Sequence, residues 1–129
     1  MRANLNEAGG RNRTATLSEH QAHHLIPKDL IDHEAIQNLK MDMDHWTNGK
    51  MLKEVRANGN PGHKGSHAIY NEALEAKLDA IAKLPKSKWE HDIVNLQNRL
   101  DTIFSRSNYP PLYKEQGGTV KRWKKILGL

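Results

Sequence analysis

The sequence predicts a mostly α domain of the α+β class, with one small β-hairpin beside a group of histidines. Three observations carry this prediction. Apolar residues recur at helical spacing through the second half of the chain. In the first half only two short runs read as strands, and Asn48-Gly49, a turn signal, stands directly before the second. The length of 129 residues suits one domain and leaves no room for two ordinary ones.

Residues 1–18 are polar, contain Gly9-Gly10 and three arginines, and read as a flexible lead-in. Gln21–Ile26 holds two histidines and stops at Pro27, as a strand ended by proline does. Asp32 is expected to cap a short helix through Ala35, Ile36 and Leu39. Lys50-Met51-Leu52 is the second strand, and Asn58–Gly62 is loop. Ser66 is placed to cap a helix carrying Tyr70, Leu74, Leu78 and Ile81, which Leu84-Pro85 ends. Ser87 and Glu90 form a capping-box pattern before Trp89, Ile93, Leu96, Leu100 and Ile103. After Asn108–Pro111, Thr119 is expected to cap a last helix with Val120, Trp123 and Leu127 inward. One domain is thus expected over 19–129, with its histidine-bearing part at 19–83 and a helical extension at 84–129.

Composition narrows the chemistry. The absence of cysteine excludes a disulfide scaffold, a Cys-based zinc finger, a thiolate nucleophile and a thiol-ligated cluster. No apolar run reaches the roughly 18 residues of a membrane helix, so no membrane anchor is expected. The opening residues lack the apolar segment of a signal peptide, so export is expected to rely on a larger parent protein or a dedicated machine. Residues 1–82 carry ten basic and eleven acidic side chains, whereas 83–129 carry ten and four, so the basic excess lies at the C-terminal end. A polyanion such as nucleic acid suits that face.

Eight histidines stand out, and three stretches, which hold four of them, concentrate the chemistry: Ala22-His23-His24-Leu25-Ile26-Pro27, Asn48-Gly49, and His63-Lys64-Gly65-Ser66-His67 followed by Asn71. On a strand, adjacent side chains point to opposite faces, so His23 and His24 divide: one is free to bind a metal while the other faces substrate. Metal-assisted phosphodiester hydrolysis needs that division, a cation for the developing charge and a neutral imidazole to deprotonate water. His63 and His67, four residues apart, are spaced to converge on one ion, and Asn71 is a competing ligand or a positioning amide. His20, His33, His45 and His91 lack partners at ligand spacing and read as surface or packing residues. Asp42 and Asp44 read as solvent-facing, and Trp89 and Trp123 as core. Lys64, Lys121, Arg122, Lys124 and Lys125 are candidate phosphate contacts, with solvated charge as the alternative for the last four.

The ordered pattern of His-His-x-x-Pro, a central Asn in a turn and a closing His-x-x-x-His resembles the HNH, or His-Me finger (ββα-metal), endonucleases. Ala22-His23-His24 together with His63–His67 and Tyr70-Asn71 is similar to the AHH branch found in bacterial polymorphic toxins. The resemblance implies a ββα-metal core at 19–83 packed on the additional C-terminal helices. It also implies His24 as general base, His23, His63 and His67 as metal ligands with Asn71 as the alternative, and Asn48 as a brace that orients the base. Lys53 and Ala68 stand where prolines are expected, which affects loop rigidity and helix entry more than chemistry.

The function so implied is a metal-dependent endonuclease, a non-specific DNase serving as an antibacterial toxin effector. The alternatives are an RNase of the same fold and a non-catalytic zinc-stabilised nucleic-acid-binding module. One divalent ion (Zn, Mg, Mn or Ni) is expected. The expected partners are DNA, with RNA as the alternative, and an acidic immunity protein. The expected route is secretion within a larger toxin and delivery to the target-cell cytoplasm.

Overall fold

The computed structural model describes residues 1–10, 20–53, 67–106 and 108–129. Among these, the helices are α1 (Arg2–Ala8), α2 (Glu34–Leu39), α3 (Ala68–Ala82), α4 (Trp89–Phe104) and α5 (Val120–Ile126). Two strands, β1 (His20–His24) and β2 (Gly49–Lys53), pair antiparallel with His23 opposite Lys50 and His24 opposite Gly49. This is the mostly α, α+β fold that the periodicity predicts. None of the described helices is long and apolar enough to cross a membrane.

Packing places the hairpin against helices on both faces. On one side α4 covers β2, and Lys50 reaches Asp101 of α4 at 3.1 Å and Ser105 at 2.8 Å. On the other side lies α1, where the composition gave only a flexible lead-in. Leu5 of α1 is buried over Gly49, where a Cβ would strike the Met1 sulfur and come within 3.0 Å of a Leu5 methyl. The helix is too short to be stable alone, so this contact is what holds it, and no local sequence signal announces it.

Two caps differ from expectation. Asp32 does not cap α2; His33 does, its Nδ1 accepting the Ala35 N–H at 3.1 Å while its Nε2 meets Asp79 of α3 at 2.8 Å. A ring that caps with one nitrogen and ties two helices together with the other wins over a cap that only caps. Nor does the Ser87/Glu90 box form: Lys86–Lys88 is a 3-10 turn, and α4 begins at Trp89 with no side-chain cap. The Trp89 indole donates to the Leu84 carbonyl at 2.9 Å and fixes the helix entry instead. Thr119 caps α5 as expected, its Oγ1 accepting from the Arg122 N–H at 3.1 Å. The loop at Asn58–Gly62 and the Ser66 cap lie outside the described residues.

The core runs between α3, α4 and α5. Tyr70, Leu74, Leu78, Leu100 and Trp123 are fully buried, each such side chain contributing about 1.5–3 kcal/mol. Trp89 and Trp123 are core residues, as their spacing with aliphatics predicts. The Trp123 indole donates to the Pro111 carbonyl at 2.9 Å, which satisfies its one polar atom. Gly118 sits tightly before α5: a Cβ there would run into the Pro111 carbonyl oxygen and lie 2.9 Å from that of Tyr113. Gly118→Ala is therefore expected to lower the urea unfolding midpoint, by about 1–3 kcal/mol in stability, because two backbone carbonyls must move. An unchanged midpoint would show that this segment yields freely.

Candidate active site

β1 ends on the two adjacent histidines, and they turn to different surroundings. His23 is fully buried among aromatic rings, with centroids 4.7 Å from Phe104, 5.2 Å from Tyr70 and 5.1 Å from His67. His24 keeps 23% of its side-chain surface and places Nε2 2.8 Å from Oδ1 of Asp44. Asp44 also takes Lys28 Nζ on its other oxygen at 3.1 Å. The His24 hydrogen bond, reinforced by Lys28, lowers the Asp44 carboxyl to about 2, so it is ionised and must accept from His24. That fixes the neutral His24 tautomer: the proton sits on Nε2 and the lone pair on Nδ1.

His67 stands at the start of α3, directly before the helix. Its Nδ1 lies 3.0 Å from the Asn71 amide oxygen, one helical turn on, and Asn71 donates to Asp29 at 3.0 Å. The amide oxygen can only accept, so His67 carries its proton on Nδ1 and its lone pair on Nε2. A histidine oriented in this way through its other nitrogen is common at metal sites. Burial lowers the His67 pKa below 6.5, against the opposing pull of its hydrogen bonds and of Asp29, and the nearby His24 lowers it further. Neutral imidazole is the form that ligates a metal. In chelator, stability is expected to fall as pH drops below 6.5, because unfolded His67 takes up a proton that the folded side chain resists. Melting temperatures measured from about pH 7.5 down to about pH 5 are expected to fall less steeply in His67→Gln. Equal slopes would contradict the assignment.

Asn48 is fully buried, and its amide is saturated. Its Oδ1 accepts from the Ile26 N–H at 2.9 Å and from Gln97 at 3.3 Å; its Nδ2 donates to the carbonyls of Ile26 and Met43, both at 3.0 Å. Its own carbonyl accepts from the Leu25 N–H at 2.8 Å. More than a turn residue, it therefore binds the chain just after His24 to the chain just before Asp44. Tyr70 completes the frame by donating to the Leu25 carbonyl, and burial pushes its phenol well above 10, so it stays a donor.

Of the residues singled out in the sequence, the fold brings His23 to His67, stacks Asn71 behind His67 and sets Asn48 behind the end of β1. Asn71 Oδ1 is occupied by His67, which makes it an orienting amide in this arrangement. His63 and Lys64 lie outside the described residues. Among the described residues no group of three His, Asp or Glu side chains is close enough together to hold a metal. Lys121, Arg122 and Lys125 are exposed on α5, and Lys124 is half-buried. Asp44 is the residue that sequence reasoning missed. Met41-Asp42-Met43-Asp44 reads as a solvent-facing loop, and its only signal is proximity to Asn48, which has meaning once Asn48 is known to grip Met43.

A family model described as a nuclease family of the HNH/ENDO VII superfamily with conserved AHH matches residues 4–100, from α1 through most of α4. No curated protein and no solved structure matches.

Proposed function

From the premise that the chain belongs to this AHH nuclease family, and so is an endonuclease, we propose that it is a divalent-metal-dependent, non-specific DNase. Nucleases of this superfamily generally use a divalent metal, and nucleic acid is the substrate a nuclease implies. The observation that carries the reading is the parting of the two histidines, His23 beside His67 and His24 on Asp44.

The donor set fits a metal ion. Imidazole nitrogens are ordinary ligands of a divalent ion such as zinc, and such a site brings its rings side by side. The ring centroids of His23 and His67 stand 5.1 Å apart, and His67 is biased to its neutral form. His23 and His67 would hold the ion, with His63 as the further ligand. When bound, it would stabilise the added negative charge on the phosphate and the departing 3′ oxygen.

The chain's own groups do the rest. His24 Nδ1 takes a proton from water as the water oxygen bonds to phosphorus and the bond to the 3′ oxygen breaks. Asp44, already ionised, stabilises the imidazolium that forms and keeps the ring in one tautomer. Asn48 holds both segments in register. Asp44→Asn keeps an acceptor but removes the charge, so kcat is expected to fall about tenfold with KM little changed in a plasmid-nicking assay. A rise in KM alone would assign Asp44 to substrate binding instead.

Low sequence preference is supported by the basic C-terminal third, because contacts to phosphate position a strand without reading bases. The likeness to toxin nuclease domains supports a role as an antibacterial effector, carried within a larger secreted protein and delivered to a target cell's cytoplasm. An acidic immunity protein suits this basic face. The test is incubation of the purified chain with supercoiled plasmid and, in parallel, total RNA, under Mg, Mn, Ni or Zn, with and without chelator. Chelator-sensitive nicking is expected. Degradation of RNA with intact plasmid would reassign the substrate, and no cleavage under any ion would overturn the reading.

A further inference from the structure

A cavity of about 410 Å³ opens between the end of α4, the segment after it and α5. Arg106, Arg122 and Lys125 form its charged lining, and Ile103, Tyr109 and Pro110 contribute its apolar wall. No carboxylate lines it, among the described residues. The comparable cavities differ: one sets Lys50 against Asp101, another sets Lys77 and Arg99 against Asp92, and a third holds Asp42 and Glu90. Three cations that converge on one concave surface, with no carboxylate among the described residues lining it, repel one another, and an anion there relieves the repulsion.

We propose that this cavity seats a backbone phosphate of the substrate strand, flanking the phosphate that is cut. The inference rests on the nuclease reading for the identity of the ligand, and the cavity's position supports it. Phe104 touches the His23 ring at 4.7 Å and the Tyr109 ring at 4.9 Å, so the cavity wall lies within about 10 Å of the His23 ring. A strand advances about 3.4 Å per nucleotide along a duplex axis, so one bound substrate would span both places within a short stretch of its length. The apolar wall suits the sugar edge that accompanies such a phosphate, and the exposed guanidinium groups of Arg106 and Arg122 suit its oxygens. Arg106 is the residue that the fold adds: it lies outside the basic run at 121–125, and only the end of α4 brings it to α5.

The test is binding without cleavage. A labelled duplex of about 20 base pairs is titrated in chelator at several salt concentrations, and its anisotropy is read. The variant Arg106→Gln/Arg122→Gln/Lys125→Gln is compared with Lys83→Gln/Lys86→Gln/Lys88→Gln, which removes the same charge beyond the far end of α3. The cavity variant is expected to bind about tenfold more weakly near 0.1 M salt, with a salt slope shallower by about two to three. The control is expected to stay within about twofold of the parent. Equal losses in the two variants, or an unchanged slope in the first, would overturn the proposal. Should the triple variant not fold, Arg122→Gln alone is expected to reduce the slope by about one. A mononucleotide at the same phosphate concentration is expected to leave the duplex bound; displacement would make the cavity a free-nucleotide site and overturn its role on the strand. A chain that binds the duplex through this cavity yet cuts no nucleic acid under any metal would fail the nuclease reading alone.

Discussion

His24→Ala is expected to cut plasmid nicking by about 10²–10⁴-fold, the range typical for removing a positioned general base. The side chain is partly exposed, and its hydrogen bond is to an exposed carboxylate, so the fold is expected to survive the change. Metal affinity is expected to survive as well, because His24 faces Asp44 while His23 and His67 face each other. Single-turnover nicking and direct metal titration, performed on the same preparation, separate the two roles. Loss of cleavage with retained metal binding is the expected pair. Full nicking by His24→Ala would remove it as the base, and loss of metal with loss of activity would make it a ligand. His23→Ala is expected to give the opposite pattern, weakening metal binding first.

Asn48→Ala is expected to cost about 3–5 kcal/mol in stability, the largest effect of any polar substitution near the site. Three backbone groups lose their partner at about 1–3 kcal/mol each: the Ile26 N–H, the Ile26 carbonyl and the Met43 carbonyl. All lie in a buried setting where water does not replace the amide. A urea midpoint close to that of the parent would show that the network relaxes at no cost. Asn48→Asp makes a finer probe. It retains an acceptor for Ile26 N–H but turns an oxygen toward two carbonyls, so it is expected to be destabilised at neutral pH. Relative to the parent at each pH, its stability is expected to recover in acid, when the protonated carboxyl donates again. An effect independent of pH would mean that shape, rather than the donor pair, holds the loop.

The legible parts of this protein are those where local chemistry repeats. Tyr70, Leu74, Leu78 and Ile81, and later Ile93, Leu96, Leu100 and Ile103, announce α3 and α4 because each helix buries one stripe. Thr119 announces the start of α5 because a side-chain oxygen before a helix has one obvious use. The histidine pair was legible for the same reason: the strand's period of two separates neighbours without help from the rest of the fold. The hidden parts are those in which a residue's role belongs to a partner distant in the chain. His33 displaces Asp32 as a cap because Asp79, on another helix, holds its second nitrogen. The Ser87/Glu90 pattern yields to a 3-10 turn because the Trp89 indole finds the Leu84 carbonyl. α1 forms because Gly49 leaves room for Leu5.

By itself the sequence determined the fold class, the helical second half, the candidate residues and the kind of chemistry, since each depends on residue type at short spacing. Tertiary structure alone decided which nitrogen of His24 holds its proton, that Asp44 stands beside it, and that Asn48 works on Ile26 and Met43. It also decided that Arg106 joins the basic helix at one cavity. These are matters of through-space distance between segments 16 to 22 residues apart, in the case of His24, Asp44, Asn48 and Lys28, and electrostatic and hydrogen-bond energies follow that distance rather than separation along the chain.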